Sequence, residues 1–61
     1  MKITVDGKEV EMHGTKVEDM FEELGINPEI FLVKINNEIV HEYESLKEGD
    51  RIELIKVISG G

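Results

Sequence analysis

The chain has 61 residues, no cysteine, and fourteen acidic against seven basic residues, for a formal net charge of −7. A chain of this length makes one domain that buries only about 60% of its unfolded surface, too little to wall off an enzyme-like pocket. The missing cysteine removes disulfides and thiolate metal sites. The acidic balance argues against nucleic acid and anionic membrane surfaces as partners, while leaving a basic protein partner open.

Residues 1–5 and 8–12 alternate apolar and polar side chains, and Asp6-Gly7 between them is the preferred two-residue type I′ turn. They predict an antiparallel hairpin with Ile3, Val5, Val10 and Met12 on one face. Thr15 and Glu18 then have capping-box spacing, with Thr15 as the N-cap. Val17, Met20, Phe21 and Leu24 fall on one helical face. Gly25 is expected as the left-handed stop, with Ile26 packing back on Phe21 as a Schellman ending prefers, and Pro28 keeps the helix from resuming. The helix is expected over residues 16–24.

Residues 30–35 read as a third strand. Asn36-Asn37 reads as a turn, because Asn tolerates positive φ, and residues 38–40 as a short fourth strand. The stretch 41–48 is polar and irregular, with Leu46 as its plug into the core. Gly49-Asp50 turns the chain into a last strand, residues 51–57. The order is β-β-α-β-β-β. The helix must cross one sheet face, since its apolar stripe needs a cover and only one sheet exists. The expected core is Ile3, Val5, Val10, Val17, Met20, Phe21, Leu24, Val33, Ile35, Ile39, Leu46, Ile52 and Leu54.

No apolar run approaches the roughly 20 residues that span a bilayer, and the first residues read as a strand rather than a leader, so a cytoplasmic location is expected. His13 and His41 lack a ligand-spaced partner and read as surface histidines, so no metal site is expected.

Two features conflict with a self-contained fold. If Ile52 and Leu54 face the core, alternation turns Ile55 and Val57 outward, and the same logic turns out Ile30 and Leu32 in the third strand. One helix cannot cover both sheet faces, so these four should form an apolar patch, the kind of surface that often marks a partner site. Glu22 and Glu23 also occupy the last helical turn, where the macrodipole disfavours anions. A basic partner surface or uneven charge placement in an acidic protein would each account for them.

The last apolar strand runs directly into Ser59-Gly60-Gly61. Residues without side chains can thread a narrow slot and carry a terminal carboxylate to a partner's reactive groups. The sequence has no paired carboxylates in a cleft, no Ser-His-Asp set and no phosphate-cradling loop. The distinctive reactive group is the Gly61 carboxylate, a poor acyl donor until activated. Attack on the α-phosphate of ATP would give an acyl-adenylate able to accept sulfur or an amine, with the partner enzyme supplying catalysis. With no cysteine, carried sulfur would sit on the C-terminal carbonyl.

The strand order, the helix ending Glu22–Ile26, the segment Val33–Asn36, the turn Glu48–Ile52 and the end Lys56–Gly61 together resemble the ThiS/MoaD sulfur carriers. The resemblance covers essentially the whole chain and is closer to ThiS, because MoaD-type carriers are usually longer between helix and third strand. Asn37 stands where Gly often follows the turn Asn, and Ser59 departs mildly from the common small residue there.

The resemblance implies an α+β, ubiquitin-like β-grasp fold: a mixed β-sheet in ββαβββ order with one helix packed across one face. It implies a β-grasp domain over residues 1–58 and a flexible Gly-Gly tail over 59–61. It further implies a carrier rather than an enzyme, with no permanently bound cofactor. Gly61, supported by Gly60, would be adenylated by a ThiF/MoeB-type enzyme consuming MgATP and converted to a thiocarboxylate. It would donate sulfur to a ThiG-type thiazole synthase in thiamine biosynthesis. Ile30, Leu32, Ile55, Val57 and Ser59 would meet partners.

The same tail also suits other outlets. They are sulfur donation to the large molybdopterin synthase subunit or its tungstopterin counterpart, donation to tRNA, and conjugation to protein lysines as a ubiquitin-like modifier. A plain interaction module with an inert tail would use the patch alone.

Overall fold

The computed structural model describes residues 1–57. The expected tail, Ser59 to Gly61, lies outside the described residues. The elements are β1 (Lys2–Val5), β2 (Lys8–Glu11), α1 (Val17–Leu24), β3 (Phe31–Ile35), β4 (Glu38–Val40) and β5 (Arg51–Lys56). The five strands form one sheet in the order β2-β1-β5-β3-β4. β1 and β5 run parallel at its centre, and the other neighbours are antiparallel. This is the mixed ββαβββ sheet that the sequence leads one to expect.

Both hairpins turn as their residues dictate. Asp6 and Gly7 have φ of 48° and 84°, and Asn36 and Asn37 have 50° and 73°. Positive φ at both central positions is the type I′ requirement, so Asn37 serves where Gly would be usual. β5 enters the sheet through a knot around the buried Asp50. Its carboxylate accepts hydrogen bonds from Lys47 N at 2.8 Å and Asn36 Nδ2 at 3.3 Å, while Asn36 Oδ1 accepts from Arg51 N at 3.2 Å. The Gly-Asp-Arg turn is thereby tied to the β3–β4 turn, which sets the register of β5.

The helix begins one residue later than its sequence suggests. Thr15 is not the N-cap, and Glu18 closes no capping box. Lys16 occupies the N-cap position, and a lysine side chain has no acceptor to offer. Instead Asp19 Oδ2 reaches back to the Thr15 and Lys16 N–H groups, at 3.1 Å each. The next free N–H groups find backbone partners in the 41–48 loop: Val17 N donates to Glu44 O at 3.0 Å and Glu18 N to Glu42 O at 2.8 Å. With those carbonyls in place, the two N–H groups that a Thr15 cap would serve, Val17 and Glu18, are already satisfied. The other end matches expectation. Gly25 is left-handed, with φ 68° and ψ 34°. Gly25 N bonds Glu22 O and Ile26 N bonds Phe21 O, the two bonds of a Schellman motif.

The core lies between α1 and one sheet face. Ile3, Val5, Met12, Val17, Met20, Phe21, Val33, Ile35, Leu46 and Ile52 are buried. Val10 and Leu54 pack against this cluster at its margin, only partly buried. Two expected core residues are outside it. Leu24, on the last turn of a short helix, is 36% exposed, and Ile26 packs on the core after the turn instead. Ile39 is 61% exposed because the β3–β4 register pairs it with Lys34, which puts both on the uncovered face. Met12, placed on the inner hairpin face by alternation, is a core residue.

Glu23 has an internal role. Its carboxylate accepts from His13 N at 2.9 Å and Gly14 N at 2.6 Å, so it clamps the β2–α1 loop to the helix end. This accounts for one of the two anions in the last turn without a basic partner. Those backbone hydrogen bonds hold its pKa below the ordinary 4.5. A lowered folded pKa gives stability that is complete above the ordinary value and is lost as pH falls through the folded one. Glu11 titrates in the same window, lowered by its hydrogen bond from the Met1 amino group. Urea unfolding should therefore show stability declining below pH 4.5, and Glu23→Gln should flatten part of that decline; an unchanged slope would deny the clamp a role in the decline.

Gly14 lets this loop approach closely, since a Cβ there would overlap the Cβ of Asp19. Gly14→Ala should destabilise the domain by about 1–3 kcal/mol, the usual range for overpacking, read as a lower urea midpoint at unchanged slope.

Candidate functional site

One helix covers one face of the sheet, and the register sorts what remains. On the uncovered face Leu32 lies directly opposite Ile55, and Lys34 opposite Glu53. The ladder continues one step past the strands, where Val57 N donates to Ile30 O at 2.7 Å. Ile30, Leu32 and Val57 are 38%, 43% and 40% exposed, and Ile55 is half-buried. The four residues named from alternation alone thus share one apolar area on two neighbouring strands. It sits at the end of β5 from which the chain continues toward residue 58. Ser59, Gly60 and Gly61 lie outside the described residues.

Alternation finds these four because β3 and β5 are paired over five residue pairs without a bulge. It misplaces Ile39 because β4 is three residues long. A strand that short has no internal pattern to fix its phase, and only the turn geometry does so. The Asn36-Asn37 turn, read as two residues, was the available signal: it makes Ile35 and Glu38 partners and so aligns Ile39 with Lys34.

An open groove of about 330 Å³ runs between α1 and the β3–β4 edge. Phe21, Phe31, Val40 and Tyr43 give it apolar walls, with His41 and Glu42 at its lip. The carboxylate of Glu42, with help from Glu18, pushes the Tyr43 hydroxyl above its ordinary pKa of 10. The groove offers contact area rather than bond-making groups. Among the described residues no cluster of His, Asp or Glu could hold a metal ion, and no helix is long and apolar enough to cross a membrane.

What the geometry provides is therefore a rigid sheet that presents an apolar area beside the start of a C-terminal segment. Known proteins match this chain along its length. The ThiS family model matches residues 2–61. A sulfur carrier protein, TtuB, from Thermus thermophilus is 36% identical over 55 residues, covering 88% of this chain and 85% of that protein. An uncharacterized protein from Archaeoglobus fulgidus is 38% identical over 53 residues, covering 87% and 78%. The crystal structure of the thiamine biosynthesis protein ThiS from Geobacter metallireducens superposes with a TM-score of 0.80 at 26% identity, over 100% of both chains. Carriers of this type act with an E1-like adenylating enzyme and a sulfur acceptor and are not enzymes themselves. The family-model match over residues 2–61, the TtuB relative and the superposed ThiS structure show that the chain belongs to the ThiS family of small sulfur carriers.

Proposed function

We propose that the chain carries sulfur on Gly61 for the thiazole synthase step of thiamine biosynthesis. Within the family that role belongs to the C-terminal carboxylate. A ThiF/MoeB-type enzyme binds the carrier through Ile30, Leu32, Ile55 and Val57, with Ser59 and Gly60 leading the chain into its active site. A carboxylate oxygen of Gly61 attacks the α-phosphorus of MgATP, pyrophosphate leaves, and an acyl-adenylate forms. A sulfide-equivalent nucleophile then attacks the acyl carbon, AMP leaves with the C–O bonding electrons, and a thiocarboxylate remains. Acyl activation is needed because the ionised carboxylate has no competent leaving group, and the partner supplies all of it. The terminal Gly-Gly allows close approach of the backbone, and the sheet face gives the enzyme something to hold. The observation that carries the thiazole assignment is the whole-length likeness to a thiamine biosynthesis protein.

A second reading draws on the 36% identity to a carrier that bears a different name, TtuB. In it Gly61 is activated in the same way and the outlet differs: the thiocarboxylate gives its sulfur to a molybdopterin or tungstopterin precursor or to tRNA, or a protein lysine amine attacks the acyl-adenylate, AMP leaves and Gly61 is joined to that lysine. Activation is common to all of these, and only the last step separates them.

Incubation with MgATP, a ThiF-type enzyme and a sulfide donor should raise the intact mass by the difference between sulfur and oxygen, mapped to Gly61. Transfer of that sulfur to a thiazole synthase reaction supports the first acceptor, and its retention there with release to another acceptor supports the second. Deleting Gly61 should abolish the mass gain while leaving thermal unfolding unchanged, since the buried core among the described residues ends at Ile52. A Gly61-deleted chain that is still adenylated would overturn the proposal.

A further inference from the structure

The parallel ladder between β1 and β5 ends on a side chain. Thr4 N donates to Asp50 O at 2.9 Å, and Asp6 N to Ile52 O at 3.0 Å. In a ladder that continued, Leu54 N would next donate to the main-chain carbonyl of Asp6. The chain turns away there, through Asp6-Gly7, and Leu54 N donates to Asp6 Oδ1 at 3.1 Å instead. The Asp6 carboxylate thus stands in for a backbone carbonyl. It adds one more rung to the strand that leads to the C-terminal segment.

The residue after Asp6 makes this carboxylate reactive. Of the aspartates and asparagines in the chain, Asp6 alone precedes glycine. Without a Cβ, a glycine amide nitrogen is the least hindered nucleophile the backbone offers. Nothing packs over the turn at Gly7, and both residues line an open depression of about 500 Å³ at this end of the sheet. Water and the attacking nitrogen both have access to the carboxyl group.

We propose that Asp6 is a modification site, where aspartate isomerises to isoaspartate, and that its hydrogen bond with Leu54 restrains the reaction in the folded protein. The Gly7 nitrogen attacks Cγ of the protonated carboxyl group. A carboxyl oxygen leaves as water, taking up the proton from that nitrogen, and a cyclic succinimide closes. Water then reopens the ring. Attack at Cγ restores aspartate, and attack at the former main-chain carbonyl leaves the chain running through Cβ and Cγ. The water lost is regained, so the mass is unchanged and nothing is oxidised or reduced. While Oδ1 accepts from Leu54 N, the carboxyl group is tied to β5 and is not free to swing onto the Gly7 nitrogen. The reaction therefore waits on local opening of the turn. Once it has run, the carbon that faced Leu54 belongs to the main chain. The turn to Lys8 and the contact with Leu54 then compete for the same group.

The test is to age the full-length protein at neutral pH, folded in buffer and unfolded in urea. Trypsin releases the peptide Ile3–Lys8, whose aspartate and isoaspartate forms have equal mass and separate by chromatography. Isoaspartate should accumulate at residue 6 in both samples, about tenfold more slowly in the folded one, as loss of a restraining hydrogen bond would give. The isomerised protein, purified intact, should exchange its Leu54 amide hydrogen faster than the parent does and unfold at a lower temperature. No isoaspartate in the unfolded chain would overturn Asp6 as the site. Equal rates in the two samples would overturn the restraint by Leu54. An isomerised protein with the parent's Leu54 exchange rate would overturn the link between the turn and β5.

Discussion

An eight-residue helix can cover only one side of a five-stranded sheet. The buried side chains of β1, β3 and β5 are spent on that single interface, and Val17, Met20 and Phe21 supply the helix's share. The opposite face must then be dressed for water or for a partner. Near β2 it carries Lys2, Thr4, Glu9 and Glu11, a solvated surface. Near the end of β5 it carries isoleucine, leucine and valine. The division follows the direction of the chain: the polar half surrounds the first hairpin, and the apolar half surrounds the segment that leads to the tail.

The same shortage of material explains the 41–48 loop. A two-turn helix has more unsatisfied end groups than internal bonds, and this one draws on the loop's backbone to meet those at its start. Glu42 and Glu44 carbonyls accept the first helical N–H groups, and Leu46 N donates back to Thr15 O at 2.7 Å. Leu46 is then buried by the geometry that caps the helix. Polar satisfaction and core filling are a single contact in this region, so the loop is as much a part of the fold as a strand.

The parts of this architecture legible in the sequence were those with local physical causes. Asp6-Gly7 and Asn36-Asn37 announce two tight turns, Gly25 announces the helix end, and alternation in β3 and β5 assigns Leu32 and Ile55 to the outer face. The apolar half of the candidate site follows from that alternation. The errors fall where distant groups decide. Thr15 has the right chemistry for an N-cap, but backbone carbonyls of residues 42 and 44 reach the helix first. Glu23 looks like a charge in the wrong place until the His13–Gly14 backbone arrives beside it. Ile39 has the hydrophobicity of a core residue, and only pairing across a turn shows that it faces outward. The strand order and the parallel pairing of β1 with β5 have no local signature at all.

That parallel pairing bears on how the carrier can be handled. β5 is held on one side by β1, through Thr4 N to Asp50 O and Asp6 N to Ile52 O, and on the other by five residue pairs with β3. These bonds lie across the strand, so a pull along its C-terminal direction loads them together in shear rather than peeling them one by one. Under the proposed function, an enzyme drawing the end of the chain into its active site would apply that kind of force. The strand that leads to the C-terminal segment is thus held on both sides against a pull along its own axis.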